Sequence, residues 1–440
     1  MSKTFRPWDV DQAWLLPPSV QDLVPPGQMA HFVRDAVRTG LDLTAIMGRY
    51  REERGQPPYH PGMMVALLLY GYCQGVYSSR RIAKGCEERL DFAAVTGLQR
   101  PDFRTIADFR KQHLAALSGL FAQVLGLCRA AGLVKLGHVA LDGTKIKANA
   151  SKHKAMSYGR MAQAEAKLAA EVAQWLKQAE VTDAAEDRAH GAARRGDEMP
   201  EWVASKEQRL AKIRAAKAAL EAEARAAAAA KSKSDSGPDD GDPGSPAAAA
   251  VPADKAQRNF TDPQSRIMKT KDGFIQGFNA QAAVDAHGQV IVACGLTNSG
   301  SDQAQLVPMV DAVAAATGRY PREVSADAGY CSQNNLAGLA TRPVKAYVAT
   351  GRQKHGSAAP VGTRAIKPDG RVAAMANKLK RAGHRSRYRL RKQVVEPVFG
   401  QIKQARGFRQ FLLRGLDCVT HEWTLVCIAH NLNKLAAATR

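Results

Sequence analysis

The chain has 440 residues, enough for two or three domains with a sizeable core, and its 45% hydrophobic and 24% charged content excludes disorder throughout. Sixty-three Lys and Arg against 41 Asp and Glu leave a net charge of +22, which favours a polyanionic partner. Seven cysteines, an odd number without a CxxC pair, argue against a zinc module or a disulfide framework and suit a reducing compartment.

The opening MSKTFRPWDVDQAW has no apolar stretch of the kind a secretory signal carries. Residues 27 to 135 read as helices. Met63–Tyr70 is apolar on every face, so it should be a buried helix opened by Pro61-Gly62, and it falls far short of the ~18 residues a membrane span needs. Two shorter helices follow. One starts after Ser78-Ser79 and carries Arg80, Arg81 and Lys84; the other starts after Pro101-Asp102 and carries Arg104, Arg110 and Lys111. Such a pair fits either a helix-turn-helix lying in a major groove or an all-α bundle with solvated cations.

From Gly137 the period changes, and His138-Val-Ala-Leu-Asp-Gly-Thr-Lys-Ile-Lys-Ala reads as a strand. Ala, Glu, Lys and Arg then dominate Met156–Lys231, with helical spacing through Leu168, Val172, Trp175 and Leu176. The following SKSDSGPDDGDPGSPAAAAVPAD is a disordered linker by composition. Between Ser151 and Arg258 there are 18 Lys and Arg against 17 Asp and Glu, so an almost neutral insertion sits inside strongly basic flanks. Phe274–Ala286 and Gln289–Leu296 form a hairpin about His287-Gly288. A helix follows through Leu306, Val310, Val313 and Ala316, then strands at Glu323–Ala326 and Ala346–Ala349, then helices across Arg387–Arg406 and His421–Ala438. Strands interleaved with helices after a helical N-terminal region indicate a mixed α/β domain.

Three acids stand out. Asp142 and Asp327 each end an apolar strand run, and Glu396 lies in the basic stretch from Arg385 to Arg414. Carboxylates on rigid elements could hold the hard divalent cations that phosphodiester chemistry uses. Each acid also has a plainer reading. Asp142-Gly143 is a hairpin-turn signal, Asp327 before Ala-Gly is a turn or cap, and Glu396 is a counter-charge to Arg391 and Lys392. Asp285 and Asp302 read as turn residues. Cys331 reads as a packed thiol, Trp423 as core, and no HxxxH pattern points to zinc.

Three segments, ALDGTKIKANAS (Ala140–Ser151), ADAGYCSQNN (Ala326–Asn335) and YRLRKQVVEPVFGQIK (Tyr388–Lys403), resemble the three acidic motifs of bacterial insertion-sequence DDE transposases. YHPGMMVALLLYGY, SSRRIAKGCEERLDF and PDFRTIADFRKQH resemble the N-terminal helical domain of one branch of them, and TDPQSRIMKTKDGFIQGFNAQAAVD is similar to a stretch the same branch carries. The third motif is often Y-x2-R-x3-E-x6-K. Tyr388, Arg391, Glu396 and Lys403 follow it, except that four residues rather than three separate Arg391 from Glu396.

The resemblance implies an α/β, RNase H-like catalytic domain over 136–440, interrupted by the 151–258 insertion and preceded by an all-α DNA-binding domain over 1–135. It implies Asp142, Asp327 and Glu396 as catalytic metal ligands for two Mg²⁺ ions, with Mn²⁺ able to substitute. The implied reaction is cleavage of double-stranded DNA at transposon ends and strand transfer into target DNA, by a homodimer in the bacterial cytoplasm associated with the nucleoid. A non-catalytic DNA-binding descendant and a nuclease without strand transfer are the alternatives. Lys145 and Lys147 are expected at DNA phosphates, unless they are merely a solvated strand edge. From Lys380 to Arg440 there are 13 Lys and Arg against three acids, so Tyr388, Arg391, Lys403, Arg406 and Arg409 are expected to hold DNA backbone near the cut. Arg104, Arg110 and Lys111 are expected to carry end-sequence preference.

Overall fold

The computed structural model describes residues 19–439, apart from positions 20, 23, 51–57, 191–200, 236–250, 271–272, 352–369 and 383–390. Among the described residues seven α-helices come first, α1 Met29–Asp35, α2 Thr44–Met47, α3 Pro61–Cys73, α4 Ser79–Glu88, α5 Leu90–Thr96, α6 Phe103–Gln112 and α7 Leu114–Ala130, with a π-helical turn, Ala36–Gly40, after α1. Pro61 takes the first position of α3, where a missing N–H costs nothing, and His60 Nδ1 accepts from Gly62 N at 3.1 Å. From Met64 to Cys73 every side chain of α3 is buried, as its all-round apolarity requires. Asp102 caps α6 by accepting from Arg104 N at 2.7 Å and Thr105 N at 2.8 Å. The two basic helices pack together but are not consecutive, because α5 intervenes between α4 and α6.

The sheet is built from β1 (His138–Lys147), β4 (Arg266–Thr270), β5 (Gly273–Asp285), β6 (Ile291–Thr297), β7 (Glu323–Ala326) and β8 (Lys345–Val348). β1 lies between an antiparallel β5 and a parallel β7, and β8 continues the parallel edge. Past β5, its first residues pair with β4 and its later ones with β6. The flanking helices are α10 (Leu306–Thr317), α11 (Gln333–Ala340), α12 (Gly370–Ala382), α13 (Arg391–Gly400) and α14 (Leu416–Ala438). This is the mixed sheet with flanking helices of an RNase H-like domain. Asp142 and Gly143 are paired mid-strand in β1, opposite Ala282 and Gln281, so the hairpin-turn reading of Asp-Gly falls away.

α14 packs on α3, α7 and β6 together, and one continuous apolar core runs from Val33 through Leu67 and Val124 to Ile291 and Trp423. The helical region and the sheet therefore share an interior, although the chain passes from one to the other near residue 135. Pro397 lies inside α13 rather than at its start. Proline lacks the N–H that would meet the Gln393 carbonyl, and Gln289 Nε2 donates to that oxygen instead, at 3.0 Å. One π-helical turn, Gln401–Ala405, follows directly.

The insertion closes on a short antiparallel pair, β2 (Ala155–Ser157) with β3 (Gln257–Asn259). Its two long helices, α8 (Tyr158–His190) and α9 (Glu201–Asp235), pack on each other around Met161, Ile213, Ala216 and Leu220. Lys206–Glu171 at 2.6 Å and Arg214–Glu165 at 3.1 Å tie their flanks. Helix α9 takes in the first four residues expected as linker, Ser232–Asp235; most of the remaining linker, 236–250, lies outside the described residues, as do the side chains of Trp175 and Leu176.

Candidate active site

A groove of about 1220 Å³ opens where β1, the β4–β5 hairpin and the segment after α13 meet. Its walls carry three acids, Asp142, Asp302 and Asp327, and five cations, Lys145, Lys147, Lys269, Lys403 and Arg409. Asp142 comes from mid-β1 and Asp327 from the residue after β7, and the parallel β1–β7 pairing brings them side by side. Burial first, then the neighbouring charge of Asp327, raises the Asp142 carboxyl to about 7. Two influences oppose the rise: the hydrogen bond that Gly143 N donates to Asp142 Oδ1 at 2.8 Å, and then Arg391, whose guanidinium stands 3.9 Å from Asp327 Oδ2. Asp327 is also a cap, as one sequence reading held: Oδ1 accepts from Gly329 N at 2.7 Å.

Asp302 opens the Gln303–Gln305 turn, as its sequence context suggested, and it also lines the groove, which the sequence did not show. Asn279 Nδ2 and Gln281 Nε2, alternate residues on one face of β5, both donate to its Oδ1 at 2.7 Å. The buried Tyr330 hydroxyl donates to Gln281 Oε1, which turns the amide nitrogen toward Asp302. Burial and the three acids hold the Tyr330 phenol far above its ordinary pKa, so it stays a donor. Trp423, fully buried as expected of core, donates from Nε1 to the Gln281 carbonyl at 3.0 Å. Gly143 sits at the crowded point, where an added Cβ would run into Asp302 Oδ1 and Gln281 Nε2. The signal available in sequence was Asn279-Ala-Gln281, two polar residues at period two in the middle of a strand.

Glu396 is placed differently. It is exposed on α13 and is not among the residues lining the groove. Lys403, seven residues further on, does line the groove and donates from Nζ to the Lys145 carbonyl at 2.8 Å. Among the described residues no three His, Cys, Asp or Glu side chains close on one metal position. The donor chemistry nevertheless suits a hard divalent cation. Asp142, Asp302 and Asp327 supply carboxylate oxygens, and Asp142 Oδ2 and Asp302 Oδ2 receive no hydrogen bond from the described residues. Mg²⁺ commonly takes one or two carboxylates and completes its shell with water and substrate phosphate.

The cations reach the groove through a backbone splice. The segment after α13 runs along the end of β1, with Lys147 N donating to Arg409 O at 3.3 Å and Phe411 N to Lys147 O at 2.9 Å. Lys145 donates to the Lys269 carbonyl at 3.1 Å, and Arg409 Nε to the Lys403 carbonyl at 3.2 Å. Lys145 and Lys147 thus stand on a groove wall rather than on a simple solvated edge.

Two expected DNA contacts point elsewhere. Arg406 turns into the interior, where Nη2 meets His430 Nδ1 at 3.1 Å and burial lowers its pKa. Arg110 is also buried, donating to the Tyr77 carbonyl at 3.0 Å and Ser79 Oγ at 3.3 Å. Both guanidiniums are held in the core by protein acceptors, so neither faces a phosphate in this structure. Arg104 and Lys111 are exposed, with the Arg104 guanidinium 5.7 Å from the Phe103 ring. Tyr388 lies outside the described residues. Asp285 is structural, accepting from Leu136 N at 2.6 Å and His287 N at 2.8 Å. Burial raises the Cys331 thiol, in keeping with a packed group.

Two family models match the chain: a Transposase DDE domain over residues 248–432, and a Transposase domain (DUF772) over residues 18–112. The chain belongs to the insertion-sequence DDE transposases. Asp302, Asp327 and Glu396 of the transposase fall within the first match, whereas Asp142 precedes it. No curated protein and no solved structure matches the chain. The family acts on DNA and depends on divalent metal, which agrees with a basic groove floored by carboxylates. No single helix among the described residues is long and apolar enough to cross a membrane.

Proposed function

We propose that this transposase cleaves double-stranded DNA at the ends of its element and joins the freed ends to target DNA. The observation that carries this reading is the pairing of Asp142 with Asp327 on the floor of a groove walled by Lys145, Lys147, Lys403 and Arg409. The cations hold the phosphodiester backbone and fix the scissile bond over the two carboxylates. Asp142 and Asp327 supply the oxygen donors for Mg²⁺, with Mn²⁺ as a substitute, and Glu396 on α13 is the third family acid. Bound divalent metal activates the attacking oxygen and stabilises the leaving one.

In the first step water attacks the phosphorus at the element's end, leaving a 3′-hydroxyl and a 5′-phosphate. That 3′-hydroxyl then attacks a target phosphodiester, and the target's own 3′-oxygen leaves. Arg391, 3.9 Å from Asp327, orients that carboxylate. Exposed Arg104 and Lys111 on α6 supply end recognition from a helical region expected to bind DNA, and Tyr388 belongs with the third motif. The active form is a homodimer on paired ends, working in the bacterial cytoplasm at the nucleoid.

The discriminating experiment supplies pre-cleaved inverted-repeat ends with a supercoiled target and Mg²⁺. Joined products are expected; cleavage of intact ends without any joining would reassign the protein as a nuclease, and specific binding with neither reaction as a non-catalytic DNA-binding protein.

A further inference from the structure

We infer that Asp302 is a working member of the metal-holding carboxylate set, presenting Oδ2 to a divalent cation that it shares with one of the two neighbouring carboxylates, Asp142 or Asp327. This rests on the metal-dependent reading of the groove given above. Three features carry it. Both amide donors, Asn279 Nδ2 and Gln281 Nε2, fall on Oδ1, so one oxygen anchors the side chain and the other is left for a ligand. The anchor is itself oriented, since Tyr330 fixes which way the Gln281 amide faces and Trp423 holds the same residue's carbonyl. Buried amides that order an acid around one oxygen are the arrangement that steers a metal ligand.

Space has also been cleared on both sides of this acid. Gly143 leaves room for Asp302 Oδ1, and an added Cβ on Gly329 would lie 3.3 Å from Asp302 Oδ2 and 3.0 Å from Asp327 Oδ1. Asp302 is thus packed between Gly143, next to Asp142 in the chain, and Gly329, two residues after Asp327. A mere turn acid at the surface would need neither glycine.

The test uses full-length protein without DNA, so that turnover plays no part. Mn²⁺ binding is followed by calorimetry and by electron paramagnetic resonance in the wild type, Asp302→Asn, Asp142→Asn and Asp327→Asn. Asparagine at 302 keeps an oxygen for both amide donors and removes only the charge. Asp302→Asn is expected to weaken Mn²⁺ binding about tenfold or more, as Asp142→Asn does. Wild-type affinity in Asp302→Asn alongside a loss in Asp142→Asn would overturn the inference and leave the groove reading standing. Unchanged affinity in all three variants would remove the groove reading itself.

A second measurement needs no variant and covers the case in which Asp302→Asn fails to fold. Fe²⁺ with ascorbate and peroxide cuts the backbone beside a bound metal. Cuts are expected near residues 142, 302 and 327; cuts at the outer two without one near 302 would refute the assignment.

Discussion

His430 offers a test of the interior that displaced Arg406 from the DNA surface. Its Nδ1 lies 3.1 Å from Arg406 Nη2 and its Nε2 lies 2.9 Å from the Gln289 carbonyl. A guanidinium only donates, so Nδ1 accepts, Nε2 carries the hydrogen, and the ring is neutral. Burial first, and then Arg406, lowers its pKa to about 3, against about 6.5 for an unfolded histidine. Below pH 6.5 the unfolded chain takes up a proton that the folded chain refuses. The stability is therefore intact above that pH and is lost as pH falls toward 3. Between pH 7.5 and 5.5 the difference is about 1.4 kcal/mol. Glutamine retains one acceptor and one donor but does not titrate. Urea unfolding of wild type and His430→Gln at the two pH values should show the wild type losing about 1.4 kcal/mol more. Equal losses would refute a neutral His430 clamped between Arg406 and Gln289.

Other outcomes follow from the same geometry. Neutralising Lys147, Lys403 or Arg409 should lower the salt slope of DNA binding by about 0.9 each, alike for matched and scrambled ends. Arg406→Met and Arg110→Met should leave that slope unchanged and cost stability of order 1.5–3 kcal/mol, seen as a lower melting temperature; an altered slope would return these residues to the DNA interface. Gly143→Ala should cost about 1–3 kcal/mol and suppress cleavage, because the new methyl displaces Asp302 and Gln281; normal melting and activity would show that the site tolerates the methyl. Ile213→Ala, in the core between α8 and α9, should cost about 2–4 kcal/mol of local stability. Hydrogen exchange should speed up in those helices and not in β1; acceleration in β1 would couple the insertion to the sheet.

Much of the fold was legible because its strands are short, apolar and punctuated. Glu323–Ala326 was read to the residue, and the β5–β6 hairpin to within one or two residues, since His287-Gly288 breaks an otherwise β-rich run. Strands β2 and β3 escaped notice because three residues show no period, and they exist only by pairing across the insertion. Pro397 signalled either a helix start or a bend; the structure holds it mid-helix because Gln289, distant in sequence, serves the orphaned carbonyl. The site was legible in part. Asp142 and Asp327 announce themselves in sequence at the ends of apolar runs, whereas Asp302 in Ser-Gly-Ser-Asp looks like any turn acid until Asn279 and Gln281 are seen beside it. Charge was legible but its direction was not: Arg406 and Arg409 stand three residues apart, yet one enters the core and the other lines the groove.

The central claim is that Asp142 and Asp327 together hold the metal that cuts DNA. Its most direct test is single-turnover cleavage of inverted-repeat DNA, with and without Mg²⁺, by the wild type, Asp142→Asn and Asp327→Asn. Cleavage should require metal and fall roughly a hundredfold or more in each variant while DNA affinity is retained. Full metal-dependent cleavage by either variant would contradict the account.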